Sequence, residues 1–214
     1  MNAVVAKSIQ PPSLKVLQVI FRGASRADLQ PFLDGSERLV KAGILGSPQR
    51  LAMFLAQVSH ESEALTHKEE NLNYSAERIA AVWPTRFASI DAARSFARNP
   101  EALANKVYGG RMGNTEPGDG WRYRGRGMGI TGRAMYAMMA EETGLDLVHH
   151  PELAATPPGL FITAVAFWSA KNLCALTDAP GDAVARVTRV INGGLIGLEQ
   201  RRGLYKLALE LVHG

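Results

Sequence analysis

The segment 47–66 carries the clearest pattern of apolar and polar positions in the chain. Leu51, Phe54, Leu55, Val58, Ser62 and Leu65 recur at three- and four-residue steps, which places them on one face of an amphipathic helix. Ser47 supplies an N-cap oxygen, and Pro48 suits the first helical position because its missing N–H has no partner there anyway. The same reasoning predicts helices over 13–22, 26–43, 48–66, 76–83, 89–98, 101–108, 132–143, 159–173, 181–191 and 198–212. Trp83-Pro84, Asn99-Pro100, Gly144 and Pro151 act as breaks. Only residues 121–131 suggest short β structure. The pattern gives a mainly helical chain with a small hairpin or extended segment. Met135, Met138 and Met139 have helical spacing and read as packing.

Two glutamates fall in unlike settings within this frame. Glu61 lies at the border of the apolar face, three residues from Val58 and four from Leu65, so its carboxyl is expected to be partly withdrawn from water. Desolvation would keep it protonated near neutral pH and able to donate a proton. Glu70 cannot join it if the helix simply continues, because nine residues at about 1.5 Å each separate the two by roughly 13 Å. Ser75 caps a new helix, with Tyr74 and Ile79 as a hydrophobic staple, so residues 67–74 are expected to turn and carry Glu70 back. A carboxylate on such a polar loop stays ionised and suits a base. These residues alone leave open the alternative of a surface glutamate in each place.

Five segments, in consistent order, resemble glycoside hydrolase family 19. They are FLAQVSHES (54–62), ENLNY (70–74), ANKVYGGRMGN (104–114), GDGWRYRGRG (118–127) and VINGG (190–194) continuing to RRGLY (201–205). The likeness runs from about residue 45 to 210 and is nearer the compact bacteriophage endolysin branch than the plant chitinases. It implies a lysozyme-like α+β fold, bilobal, with the extended segment bordering a catalytic cleft. It also implies an inverting mechanism in which Glu61 is the acid, Glu70 the base and Thr131 holds the attacking water. Tyr123, Arg126, Asn192 and Arg201 become candidate substrate-binding residues. The chain departs from the family at GRGMGIT (125–131), which is one residue shorter than usual and lacks a Gln, and at Met135-Tyr136, where the family often has Asn-Tyr.

The residues by themselves weigh some of these assignments differently. Tyr123 and Trp121 alternate with arginines and suit stacking on sugar, yet core packing accounts for Tyr123 equally well. Asn192 reads as a helix stop in the left-handed region, and Arg201 as either structural or functional. Trp83 and Trp168 read as core.

At 214 residues, 46% hydrophobic and 21% charged, the chain suits one globular domain, 1–214, with residues 1–12 as a flexible N-terminal tail. The net charge of +4 favours anionic partners such as bacterial envelopes. Its arginines are scattered rather than set along a recognition helix, so no nucleic-acid partner is expected. Residues 14–21, LKVLQVIF, are too short and too polar for a signal peptide or a membrane span. The single Cys174 leaves no internal disulfide and reads as a small buried hydrophobe. The expectation is a monomer made in the host bacterial cytoplasm, reaching peptidoglycan glycan strands after a holin permeabilises the inner membrane, without stable membrane insertion.

No cofactor and no metal are implied. His60-Glu61 lacks the second His at 64 that a zinc peptidase helix needs. The G-x-G-x-x-G of 127–132 follows no buried strand. The resulting reading is an endolysin, muramidase or glucosaminidase, with two alternatives: a chitinase, and a glycan-binding module without activity.

Overall fold

The computed structural model describes residues 9–213. They form the helices α1 (Leu14–Ile20), α2 (Arg26–Asp34), α3 (Ser36–Lys41), α4 (Pro48–Glu61), α5 (Ala76–Val82), α6 (Ile90–Ala93), α7 (Pro100–Tyr108), α8 (Asp119–Arg122), α9 (Arg133–Thr143), α10 (Pro157–Ala170), α11 (Leu173–Asp178), α12 (Ala183–Asn192) and α13 (Leu198–His213). The chain divides into two compact units, one of residues 1–68 with 156–214, the other of residues 69–155. The fold is mainly helical, as expected. In the segment read as short β structure, the described residues form isolated antiparallel bridges, Glu69 with Arg126 and Arg126 with Ile130, rather than strands.

In the first unit α4 is the buried axis. Residues 51–59 are all buried, so the helix is enclosed on every side and not only on the stripe that the spacing marks. It packs on α13 and also meets α1 and α11. Phe54 stands edge-on to Trp168 of α10, with ring centroids 5.3 Å apart, and Phe32 of α2 meets Phe161 at 4.9 Å. The starts follow the cap chemistry. Ser47 Oγ accepts from Arg50 N at 3.2 Å, and Ser25 and Asp28 complete a reciprocal capping box.

Of the expected tail, residues 1–8 lie outside the described residues. Ile9 donates its N–H to Leu45 O at 2.8 Å and Pro12 is buried, so the chain is already attached there. No helix among the described residues is long and apolar enough to cross a membrane.

The second unit has its own core. Leu72, Ala76, Ile79, Phe87, Ala93, Leu103, Ala104 and Val107 cluster, with Tyr74, Trp83 and Trp121 packed partly buried against them. Ser75 Oγ accepts from Arg78 N at 3.3 Å, as the cap reading requires.

The expected helix 26–43 is two helices, and the break has a steric cause. A Cβ on Gly35 would lie 2.2 Å from Phe161 Cε1 and 2.6 Å from Pro31 O, so the chain passes the Phe161 ring where a side chain does not fit. Gly35→Ala is expected to destabilise the protein by about 1–3 kcal/mol, read as a lower urea midpoint at unchanged slope. A raised midpoint, the ordinary result of Gly→Ala at an unstrained site, would contradict this packing.

Candidate active site

The helix α4 delivers Glu61 at its last turn, and the chain then turns sharply. Glu63, Ala64 and Leu65 have φ of 45°, 58° and 68°, three consecutive non-glycine residues in the left-handed region. Fully buried Ser62 holds the turn: its hydroxyl donates to Val58 O at 2.7 Å and accepts from Leu65 N at 2.9 Å. The expected helix to residue 66 therefore ends at 61. The two hydrogen bonds of Ser62 offset part of a cost of about 1 kcal/mol or more per left-handed residue.

Glu61 faces a cation rather than an apolar wall. Arg201 of α13, 2% exposed, forms an ion pair through Nη2 with Glu61 Oε1, and Nη1 donates to Oε1 of fully buried Gln57. The Glu61 side chain is 19% exposed, so the expected withdrawal from water is present. Arg201 meets Glu61 from within the core, which is the place of a partner to the carboxylate rather than of a surface that contacts substrate. His60 is half-buried beside this pair. Burial first and the Arg201 charge second hold its imidazole below the ordinary histidine range, so it sits there as a neutral ring.

In the second unit Glu70 is clamped at both backbone and side chain. Its N–H donates to Gly125 O at 2.9 Å, and its Oε2 accepts from Gly125 N at 3.3 Å. Tyr108, the last residue of α7, donates its hydroxyl to Oε1 at 2.6 Å. Burial and the Glu70 carboxylate push the Tyr108 phenol far above the usual tyrosine range, so it remains a donor. A Cβ on Gly125 would fall 3.2 Å from Glu70 Oε2 and 3.4 Å from Thr131 Oγ1. Glu70 and Thr131 thus flank the same backbone point, where an added Cβ would be a tight fit.

The arginine-rich segment builds the platform under Glu70. Arg126, 5% exposed, donates from Nη1 to Arg122 O at 2.9 Å and to Tyr136 Oη at 3.0 Å, and pairs through Nε with Glu69 Oε1 at 3.3 Å. Arg124 pairs with the other oxygen of Glu69 and lies 3.7 Å above the Trp121 ring. Tyr123 is 1% exposed; its hydroxyl donates to Val148 O at 2.9 Å and its ring packs on Tyr136. Tyr123 and Arg126 are therefore largely enclosed: the first is packed in the core, and Nη1 of the second is engaged by protein acceptors while its buried Nε makes no hydrogen bond. Asn192 is exposed, and its amide donates to Ile196 O at 3.5 Å. The left-handed residue at that helix stop is Gly193, φ 71°, rather than Asn192.

No family model matches the chain. A "glycosyl hydrolase family 19 domain-containing protein" of Haemophilus influenzae is 40% identical over 175 residues, covering 80% of this chain and 84% of that protein. The chain belongs to glycosyl hydrolase family 19. It is accordingly a glycosidase. Among solved structures, chitinase C from Streptomyces griseus HUT6037 is similar, with a TM-score of 0.58 at 17% identity over 94% of this chain and 92% of that one. A bacterial family 19 chitinase gives a TM-score of 0.51 at 21% identity, with 94% of each chain covered. At these identities the likeness concerns the fold.

Three side chains of the glycosidase were not singled out from sequence. Tyr108 stands in the segment ANKVYGGRMGN, where nothing in the spacing shows that its hydroxyl reaches Glu70. Asn114 of the same segment ties that region together, donating to Tyr108 O at 3.0 Å and accepting from Arg133 N at 2.8 Å. Gln57 falls off the apolar stripe, and its burial in an all-round enclosed helix is the only sign of its part.

Tyr108→Phe keeps the ring and removes the donor to Glu70. Turnover on a soluble glycan is expected to fall about tenfold or more with little change in thermal midpoint, since a hydrogen bond to a charged group is involved. Wild-type turnover in the phenylalanine variant would show that the hydroxyl does not support Glu70.

Proposed function

We propose that this family 19 enzyme hydrolyses the β-1,4 glycosidic bonds of bacterial peptidoglycan with inversion, as a phage endolysin does, with Glu61 as general acid and Glu70 as general base. The observation that supports this most is the unlike support of the two carboxylates. Glu61 is set against a buried guanidinium, while Glu70 accepts from a phenol and a backbone amide that leave its remaining lone pairs for a water. Arg201 fixes where the Glu61 carboxyl points, so the proton given to the leaving oxygen is delivered from a set direction. Glu70 accepts a proton from the water that attacks the anomeric carbon, and Thr131, beside Gly125, helps to hold that water. The proton lost by water and the proton given to the leaving sugar balance across the two glutamates.

The net charge of +4 suits an anionic wall. Delivery from the host cytoplasm after a holin acts, and action as a monomer, belong to the same proposal. A second reading is chitin hydrolysis, favoured by the likeness of fold to bacterial chitinases; fold alone does not choose between the two polymers.

Loss of turbidity of outer-membrane-permeabilised bacteria, run beside glycol chitin hydrolysis, separates the two substrates. Glu61→Gln is expected to remove both activities, since proton donation contributes about 10²–10⁴-fold, while exposed Glu63→Gln stays near wild type. Retention of more than about a tenth of wild-type rate by Glu61→Gln would remove the acid role. Proton NMR of the first product is expected to show the α-anomer before mutarotation. A β-anomer first would mean retention and would overturn the assigned roles even if both glutamates proved essential.

A further inference from the structure

Arg201 reaches two successive turns of α4 with one guanidinium. Gln57 and Glu61 are four residues apart and so stand on one helix face, and the two terminal nitrogens of Arg201 divide between them. Gln57 is fully buried, Thr188 of α12 is fully buried, and Arg201 is 2% exposed. The Gln57 amide donates from Nε2 to Thr188 Oγ1 at 3.5 Å and to Met53 Sδ at 3.8 Å. A polar chain thus runs from α12 through Gln57 and Arg201 to Glu61 inside an apolar core.

We propose that Gln57 is a positioning residue for Glu61, acting through Arg201; the inference rests on the acid role given to Glu61 above. Three physical points carry it. A guanidinium held at one nitrogen can pivot about that contact, whereas a fork anchored at both terminal nitrogens is fixed in plane and direction. Gln57 supplies the second anchor at a depth where water does not replace it. The Thr188 hydroxyl and the Met53 sulfur receive the amide NH₂, which turns the carbonyl oxygen of Gln57 toward Arg201. Finally, an amide anchors without charge. Of the two groups that Arg201 meets on α4, Glu61 alone answers its positive charge, so the fork stays directed at the reacting carboxylate. The other titratable or charged groups gathered at this end of α4 are His60 and Glu63, with Arg22 beyond α1. None of these is an anchor of the fork.

The test uses the full-length enzyme on a soluble peptidoglycan or chitin oligosaccharide, with kcat, KM and thermal midpoint measured for Gln57→Met, Gln57→Glu and Glu61→Gln. Gln57→Met keeps length and removes the acceptor. It is expected to lower kcat by about tenfold or more at little-changed KM. Gln57→Glu restores an acceptor at the same place but sets a second negative charge against Arg201, so it is expected to hold kcat at least about fivefold below wild type; wild-type kcat there would overturn the part given to the uncharged anchor. A merely structural role would instead lower the midpoint of the Met variant and leave the kcat of its folded fraction near wild type. If the Met variant does not fold, Thr188→Val removes only the hydroxyl that orients the amide, and the same loss in kcat at constant KM is expected there. Unchanged kcat in the folded variants, with Glu61→Gln inactive, overturns the role of Gln57 alone. An active Glu61→Gln overturns both this proposal and the function on which it rests.

Discussion

The guanidinium of Arg201 is the constraint around which the first unit is arranged. A charge only 2% exposed is costly to desolvate unless acceptors answer it, and with its Nε making no hydrogen bond that falls to Nη1 and Nη2. Glu61 and Gln57 answer it from α4, and Thr188 supports Gln57 from α12, so three helices are committed to one cation. Such a pair is weak evidence for stability, since apolar residues of similar volume often serve as well. Its value lies in direction, because it fixes where the Glu61 carboxylate points.

The second unit solves a different problem, holding Glu70 on a loop that has no sheet to support it. Isolated bridges replace strands, and side chains take over the work of a ladder. Arg124 and Arg126 clamp Glu69, the tilted rings of Tyr136 and Tyr123 pack on each other, and Asp119 fixes Arg133 at the start of α9 with two 3.0 Å bonds. Glu69 and Glu70 are neighbours in sequence with separate duties. The first anchors the loop through arginines, and the second is left with a phenol, an amide and room for water.

Much of this was readable from sequence where local chemistry decides the outcome. Ser47-Pro48, Ser75 and Asn99-Pro100 start helices where cap chemistry says they should, and Trp168 is fully buried in the core. What the sequence did not convey depends on contacts distant along the chain. The split at Gly35 is set by Phe161, and the helix end at Glu61 by the hydrogen bonds of Ser62. The alternation of aromatic residues and arginines at 121–126 suited sugar stacking and core packing equally, and only the fold shows Arg124 over the Trp121 face and Tyr123 facing inward. The environment of Glu61 was the largest difference, because its setting is made by a residue 140 positions away.

The coupling between Glu61 and Arg201 is the central claim, and a double-mutant cycle on stability tests it most directly. Urea unfolding at neutral pH would be measured for Glu61→Gln, Arg201→Met and the double variant. Each single change leaves one charge without its partner and is expected to cost on the order of 3 kcal/mol. The double variant removes both charges and is expected to recover at least about 1 kcal/mol of the summed loss. Losses that simply add would mean that the two side chains do not depend on each other, and would contradict the account given for the acid.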